Sequence, residues 1–267
     1  ELVPNQGDAW KFMLEEVDRI FENLSYRKIK IDKLPEVELF SRLRLNEIPH
    51  EIIDWAGLKI FLRIRTMATR TAEMHIALGS DIHETAFTPI TYNSDYSVWL
   101  KNRLTYQFQN RLNILENNLH KLDGLALELA NQFLDQKKNI RKIFLDFDWT
   151  KMKSERIRIH GDYHLGQVLV NGEDFFILDF EGEPESTISD RKVKQPPLKD
   201  VAGIFRSFHY AIYANIFNNK DKYNYEQSEL FMAGELLYKY FVGIFLHSFT
   251  EVAQAGNLNI GYKNEID

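Results

Sequence analysis

The spacing of apolar residues changes partway along the chain, and the change divides it. Trp10, Leu14, Val17, Phe21 and Leu24 recur three and four apart, which predicts an amphipathic helix with Asp8 near its start. Residues 25–49 are mixed, with breaks at Pro35 and Pro49 and a short helix expected over 36–45. Ile53, Ile60, Ile64, Met67, Thr71, Met74 and Leu78 share a face, which predicts one long helix over 50–78, stopped by Gly79. Residues 80–94 read as loop. Leu100, Leu104, Phe108, Leu112, Leu115 and Leu119 then predict a second long helix, and Leu125, Leu129 and Phe133 a third after Asp123-Gly124.

Near Arg156 the period falls to two. Ile157 and Ile159 alternate with Arg156, Arg158 and His160, a short strand. Val168-Leu169-Val170 and Phe175-Phe176-Ile177-Leu178 flank Asn171-Gly172-Glu173-Asp174, a hairpin signal. Residues 181–197 form a polar loop with Pro184, Pro196 and Pro197. Helical spacing returns at Asp200, with Val201, Ile204, Phe205, Phe208 and Ile212, and again from Gln227 to Ala253. The expected class is mainly α with a small β hairpin insert.

Composition narrows the function. At 267 residues and 44% hydrophobic, the chain can bury the core of one large domain or two subdomains. A net charge of −6 without a basic stripe argues against a nucleic-acid partner. The absence of cysteine excludes disulfides and thiolate chemistry and suits a reducing, cytoplasmic compartment. No apolar run approaches the roughly 18 residues of a spanning helix, so no membrane partner is expected. The first residue is Glu1 rather than Met, which predicts that the chain begins inside a longer gene product.

The candidate chemistry lies in His160-Gly161-Asp162-Tyr163-His164-Leu165-Gly166-Gln167 and in Leu178-Asp179-Phe180. Phosphoryl transfer to an alcohol requires an oriented hydroxyl that can lose its proton, and metal ions that bridge the phosphates. Asp162, on a glycine turn just past a strand, is the candidate base. The Gln167 amide oxygen and the Asp179 carboxylate are hard ligands suited to Mg²⁺, with Glu181 placed for a further contact. His160 and His164 are expected to orient the backbone and the carboxylate. Arg191, Lys192 and Lys194 form a basic run near the expected phosphate path. Arg206 is expected to pair with a loop carboxylate. The glycines form neither GxGxxG nor a P-loop.

HGDYHLGQVLV followed by FFILDFEGEP resembles the catalytic segment of the aminoglycoside-phosphotransferase-like kinases, whose pattern is HGDxHxxN…IDF/W. It is more similar still to the bacterial maltokinases, including maltokinase-like domains fused to trehalose synthase. Pro4-Asn5-Gln6-Gly7-Asp8-Ala9-Trp10, Arg70-Thr71-Ala72-Glu73-Met74-His75 and Pro197-Leu198-Lys199-Asp200-Val201-Ala202-Gly203-Ile204-Phe205-Arg206-Ser207-Phe208 extend that likeness, and Gln167 is the maltokinase form.

The resemblance implies ATP-dependent, Mg²⁺-assisted phosphorylation of maltose on its anomeric hydroxyl. It makes residues 1–7 the remnant of an inter-lobe hinge, with the Val3 and Asn5 backbone near adenine. Residues 8–267 become the helical C-terminal lobe of a protein-kinase-like fold, with the catalytic loop and metal hairpin at 156–184. Asp162 becomes the base, Gln167 and Asp179 the metal ligands, and Asp200 a brace that accepts backbone hydrogen bonds. The N-terminal lobe, with its phosphate-clamping lysine, is expected before Glu1, so these 267 residues alone are expected to be inactive as a kinase. One departure is that family members often carry Gly-Tyr where this chain has Ser248-Phe249. Two other readings compete: a kinase of the same fold for another alcohol, such as an aminoglycoside, choline or another sugar, and a non-catalytic assembly domain attached to a trehalose synthase.

Overall fold

The computed structural model describes residues 3–81 and 83–261, with the Lys220 side chain left aside. Glu1, Leu2 and residues 262–267, which the expected hinge and lobe boundaries include, lie outside the described residues. Asp8 opens the first helix, its carboxylate accepting the Lys11 N–H at 2.8 Å. Helix α1 (Ala9–Arg27) buries Ala9, Met13, Val17, Ile20, Phe21 and Leu24. Trp10 and Leu14, expected on that stripe, are only half-buried. Stepping from Ala9 to Met13 to Val17 keeps a four-residue spacing that points at the helices beneath.

The single helix expected over 50–78 is two: α2 (His50–Ala56) and α3 (Leu58–Leu78). Gly57 breaks them at φ +86°, a conformation glycine adopts without a Cβ clash. The carbonyls exposed at the break are satisfied from α1. Arg19 donates to Ala56 O at 2.9 Å, and Asn23 donates to Asp54 O and Trp55 O. No helix forms over 36–45. Short 3₁₀ turns at Ile31–Lys33 and Leu45–Glu47 flank that stretch, and Leu43 N–H bonds Gly243 O, which holds it extended.

Chain contacts divide the described residues into two compact units, one drawn from the residues up to Ile90 together with Glu155–Ile260, the other from Thr91–Ser154. The two-residue strands β1 (Ile90–Thr91) and β2 (Glu155–Arg156) lie where the chain leaves and rejoins the larger unit. The smaller unit carries α4 (Ser94–Asn118), α5 (Gly124–Asp135) and an unanticipated α6 (Lys137–Asp146). Phe108 packs against Phe133 and Phe144 inside it.

In the larger unit the strand expected at 156–160 is shorter. Ile157 pairs with Gln195 alone, and the chain then leaves the ladder because His160 N–H bonds a carboxylate instead. The hairpin pairs β3 (Val168–Asn171) with β4 (Asp174–Ile177), Asn171 facing Asp174. Residues 6–8 line its free edge, with Gln6 N–H on Val170 O and Val170 N–H on Gly7 O. Arg70 of α3 holds Asp174 with two bonds of 2.7 and 2.8 Å. A four-residue helix, α7 (Ile188–Arg191), interrupts the loop expected over 181–197.

Helices α8 (Leu198–Asn219) and α9 (Gln227–Ala255) complete the core. Trp55, Phe61, Phe208, Phe241, Phe245 and Phe249 are fully buried there. Contrary to the sequence expectation, α9 is long and apolar enough to cross a membrane by length and composition, but 67% of that window is buried inside the protein. Its apolarity serves the core.

Candidate active site

The loop 160–167 hangs from one carboxylate. Asp200, in the first turn of α8, is 2% exposed. Its Oδ2 accepts His160 N–H at 2.8 Å and bonds His75 Nε2 of α3 at 2.9 Å; its Oδ1 accepts Gly161 N–H at 2.9 Å. Burial pushes this carboxyl up. The His75 hydrogen bond and charge, with the two backbone N–H groups, outweigh it and leave the pKa below the ordinary carboxylate value.

The same face of α8 continues the support. Gly203 lies so close under the loop that a Cβ there would stand 2.5 Å from Tyr163 O. Ser207 Oγ accepts Leu165 N–H at 3.1 Å. Residues 200, 203 and 207 fall at helical spacing, which gives the Asp200-Val201-Ala202-Gly203 stretch and Ser207 a physical meaning. From α3, Thr71 meets the Tyr163 hydroxyl at 2.7 Å, and burial pushes that phenol far above its usual range. Tyr163 is therefore a core residue.

Held this way, Asp162 is half-buried at the edge of a groove of about 580 Å³. His164 Nδ1 accepts Gly166 N–H at 3.1 Å, which leaves Nε2 facing Asp162 Oδ2 at 3.9 Å. His160 joins the loop to the hairpin. Its Nδ1 accepts Asp162 N–H at 3.4 Å, and its Nε2 donates to Leu178 O at 2.7 Å. The next residue, Asp179, has φ +62°, a left-handed conformation uncommon for a residue with a Cβ. Gln167 Nε2 donates to Asp179 Oδ2 at 2.9 Å, so the loop and the hairpin end meet through the two expected metal ligands.

Other expected residues stand apart from this cluster. Glu181 is exposed on the turn after Asp179. Arg191 donates to Pro184 O and Ser186 O, stapling its own loop. Lys194 donates to Thr85 O and Thr88 O. Arg206 pairs with Tyr210, through a 2.6 Å bond and a ring contact at 5.0 Å, where a loop carboxylate was expected. Val3 O accepts Asn5 Nδ2, and Asn5 Oδ1 accepts Gly7 N–H, which closes a tight turn beside β3. Phe249 packs edge-on to His75 at 5.6 Å, so the Ser248-Phe249 departure lies in the core beneath the Asp200 brace.

The groove is also lined by Trp10, Arg206 and Tyr210. Trp10, expected on the buried stripe of α1, is instead half-buried at this groove.

The donors suit Mg²⁺ in one manner. Among the described residues, no group of three His, Cys, Asp or Glu side chains converges on a metal position. With Nε2 donating, the Gln167 amide oxygen and the second Asp179 oxygen remain as two hard donors. Such a pair fits an ion whose other ligands are phosphate and water.

No family model matches the chain. A glucosamine kinase of Streptacidiphilus jiangxiensis is 32% identical over 65 residues, 24% of this chain and 15% of that protein. Among solved structures, a glucosamine kinase in complex with glucosamine, ADP and inorganic phosphate superposes with a TM-score of 0.65 at 17% identity. The match covers 98% of this chain and 50% of that one. Crystal form A of glucosamine kinase gives a TM-score of 0.64 at 17% identity, covering 98% of this chain and 51% of that one. The fold is thus similar to that of half of these glucosamine kinase structures, and the chain spans about half their length.

Proposed function

We propose that this chain is the acceptor- and metal-binding half of a kinase-like phosphotransferase that moves the γ-phosphoryl group of ATP onto the anomeric hydroxyl of maltose. The observation that carries the reading is Asp162, braced at a groove by the Asp200 network and joined through its loop to the Gln167–Asp179 pair. The superposition on a sugar kinase supports a sugar acceptor. The HGDYHLGQ, DFEGEP and PLKDVAG stretches support maltose.

In this reading the acceptor hydroxyl lies in the groove against Asp162, which takes its proton as the oxygen bonds to the γ-phosphorus. The β–γ bridging P–O bond breaks and ADP leaves. His164 Nε2 faces the carboxylate at 3.9 Å. Gln167 and Asp179 would hold Mg²⁺, which when bound neutralises charge on the β- and γ-phosphates. An N-terminal lobe supplying the phosphate clamp is an implied partner, as is a trehalose synthase module upstream. The 267 residues alone are expected to consume negligible ATP.

A second acceptor, glucosamine, is favoured by the structural likeness. The test is phosphoryl transfer by the polypeptide carrying both lobes, with maltose and glucosamine compared side by side and the products identified by phosphorus NMR. Maltose-dependent formation of maltose 1-phosphate, abolished by Asp162→Asn, is the expected result. Transfer to glucosamine alone would replace the acceptor, and no transfer to any sugar would overturn the reading.

A further inference from the structure

A second cavity, of about 570 Å³, lies between the first turns of α1, the start of α3 and the hairpin turn. Neither Asp162 nor Asp179 lines it. Its charged lining is Asp8, Lys11, Glu15, Lys59 and Arg63. Arg63 is the unusual member. It is 9% exposed, and its Nη1 is shut off from solvent without a hydrogen-bond partner. Its guanidinium carbon stands 5.7 Å from the centre of the Phe12 ring, an attraction that supplies no acceptor in the guanidinium plane. The nearby Asp174 carboxylate feels the charge of Arg63 but is already gripped by Nε and Nη2 of Arg70.

A buried guanidinium nitrogen without an acceptor is costly, because its lost hydration is not replaced. Two more cations face the same space. Lys11 has a loose 3.9 Å contact with Glu15, in which both side chains are largely exposed. Of the two carboxylates, Asp8 is committed to capping α1. The cavity therefore presents cationic donors in excess of acceptors, around a volume larger than a bare oxyanion.

We propose that this cavity binds a phosphate-bearing small molecule, with a phosphate oxygen drawn to the Arg63 guanidinium where that residue lines the cavity and with Lys11 and Lys59 matching the second negative charge. A phosphate monoester fits better than a lone carboxylate, since it is a dianion and presents three acceptor oxygens. The remaining volume accommodates an organic group, with Glu15 available to its hydroxyls. Asp8 borders both this cavity and the groove beside Asp162. Occupancy would thus steady the turn of α1 that carries Trp10.

The test is titration of the chain with inorganic phosphate, and separately with acetate, followed by calorimetry and phosphorus NMR. Saturable phosphate binding is expected in the parent chain and equally in Asp162→Asn, which excludes the groove as its source. Arg63→Met keeps the aliphatic stem over Phe12 and is expected to weaken binding by about tenfold or more. Lys59→Gln, an exposed change that leaves the fold intact, is expected to weaken it several-fold and decides the matter if Arg63→Met does not fold. Unsaturable phosphate binding overturns the proposal. So does unchanged affinity in the folded cavity variants, or acetate binding as tightly as phosphate, which would point to an acidic side chain of another polypeptide segment.

Discussion

His160 and Leu178 tie the proposed base to the proposed metal ligand. The imidazole Nε2 donates to Leu178 O at 2.7 Å, while Nδ1 accepts the Asp162 N–H. One ring thereby spaces Asp162 from Asp179. His160→Ala is expected to lower kcat by about 10–100-fold with a smaller change in the maltose KM, since misplacement rather than lost contact is at issue. Steady-state kinetics of the two-lobed protein measure this split; a change confined to KM would contradict it.

Asp162→Asn preserves shape and removes basicity. The expected loss in kcat is about 10²–10⁴-fold, the usual range for a positioned general base. The thermal midpoint should move little, because the side chain is half-buried and its contact with His164 Nε2 is a loose 3.9 Å. A variant that retains full activity would exclude Asp162 as the base.

Asp200→Ala should act on folding before it acts on chemistry. It removes the acceptor for three donors, at least two of them inside the core. Losses on breaking such buried networks run to about 3–5 kcal/mol, read from urea unfolding. Gly203→Ala tests the same support from the other side. Its Cβ would press on a backbone carbonyl that cannot swing away, so a loss of about 1–3 kcal/mol is expected.

Acid should weaken the brace in a defined direction. The Asp200 pKa is lower in the folded protein than in the unfolded chain, where a carboxyl titrates near about 3.9. Its contribution is therefore complete above the unfolded value and is lost as pH falls through the folded one. Urea midpoints measured downward from about pH 5 should fall in the parent, and Asp200→Asn should show a shallower fall. Parallel curves would remove Asp200 from the acid limb.

What could be read from sequence follows from the range of the forces involved. The hairpin was legible because alternation and an Asn-Gly turn are local, and Asn171 does face Asp174. Helix α9 was legible from its apolar spacing. The break at Gly57 was not, because the groups that satisfy it, Arg19 and Asn23, come from another helix. The strand after Arg156 was over-read for a related reason: Ile157 and Ile159 alternate correctly, but His160 N–H is claimed by Asp200, forty residues away. The meeting of Gln167 with Asp179 agrees with the spacing, whereas the pairing of Arg206 with Tyr210 and the lack of an acceptor at Arg63 Nη1 depend on neighbours that no local pattern specifies.

The Asp200 brace also has a meaning in time. Its partners lie 39, 40 and 125 residues earlier in the chain. During synthesis, a nascent chain that has emerged only as far as the hairpin already contains every side chain proposed to touch a phosphate. It lacks the anchor that sets their spacing. Contacts of such long sequence separation close late, so the spacing of these side chains is expected to be set only when α8 docks.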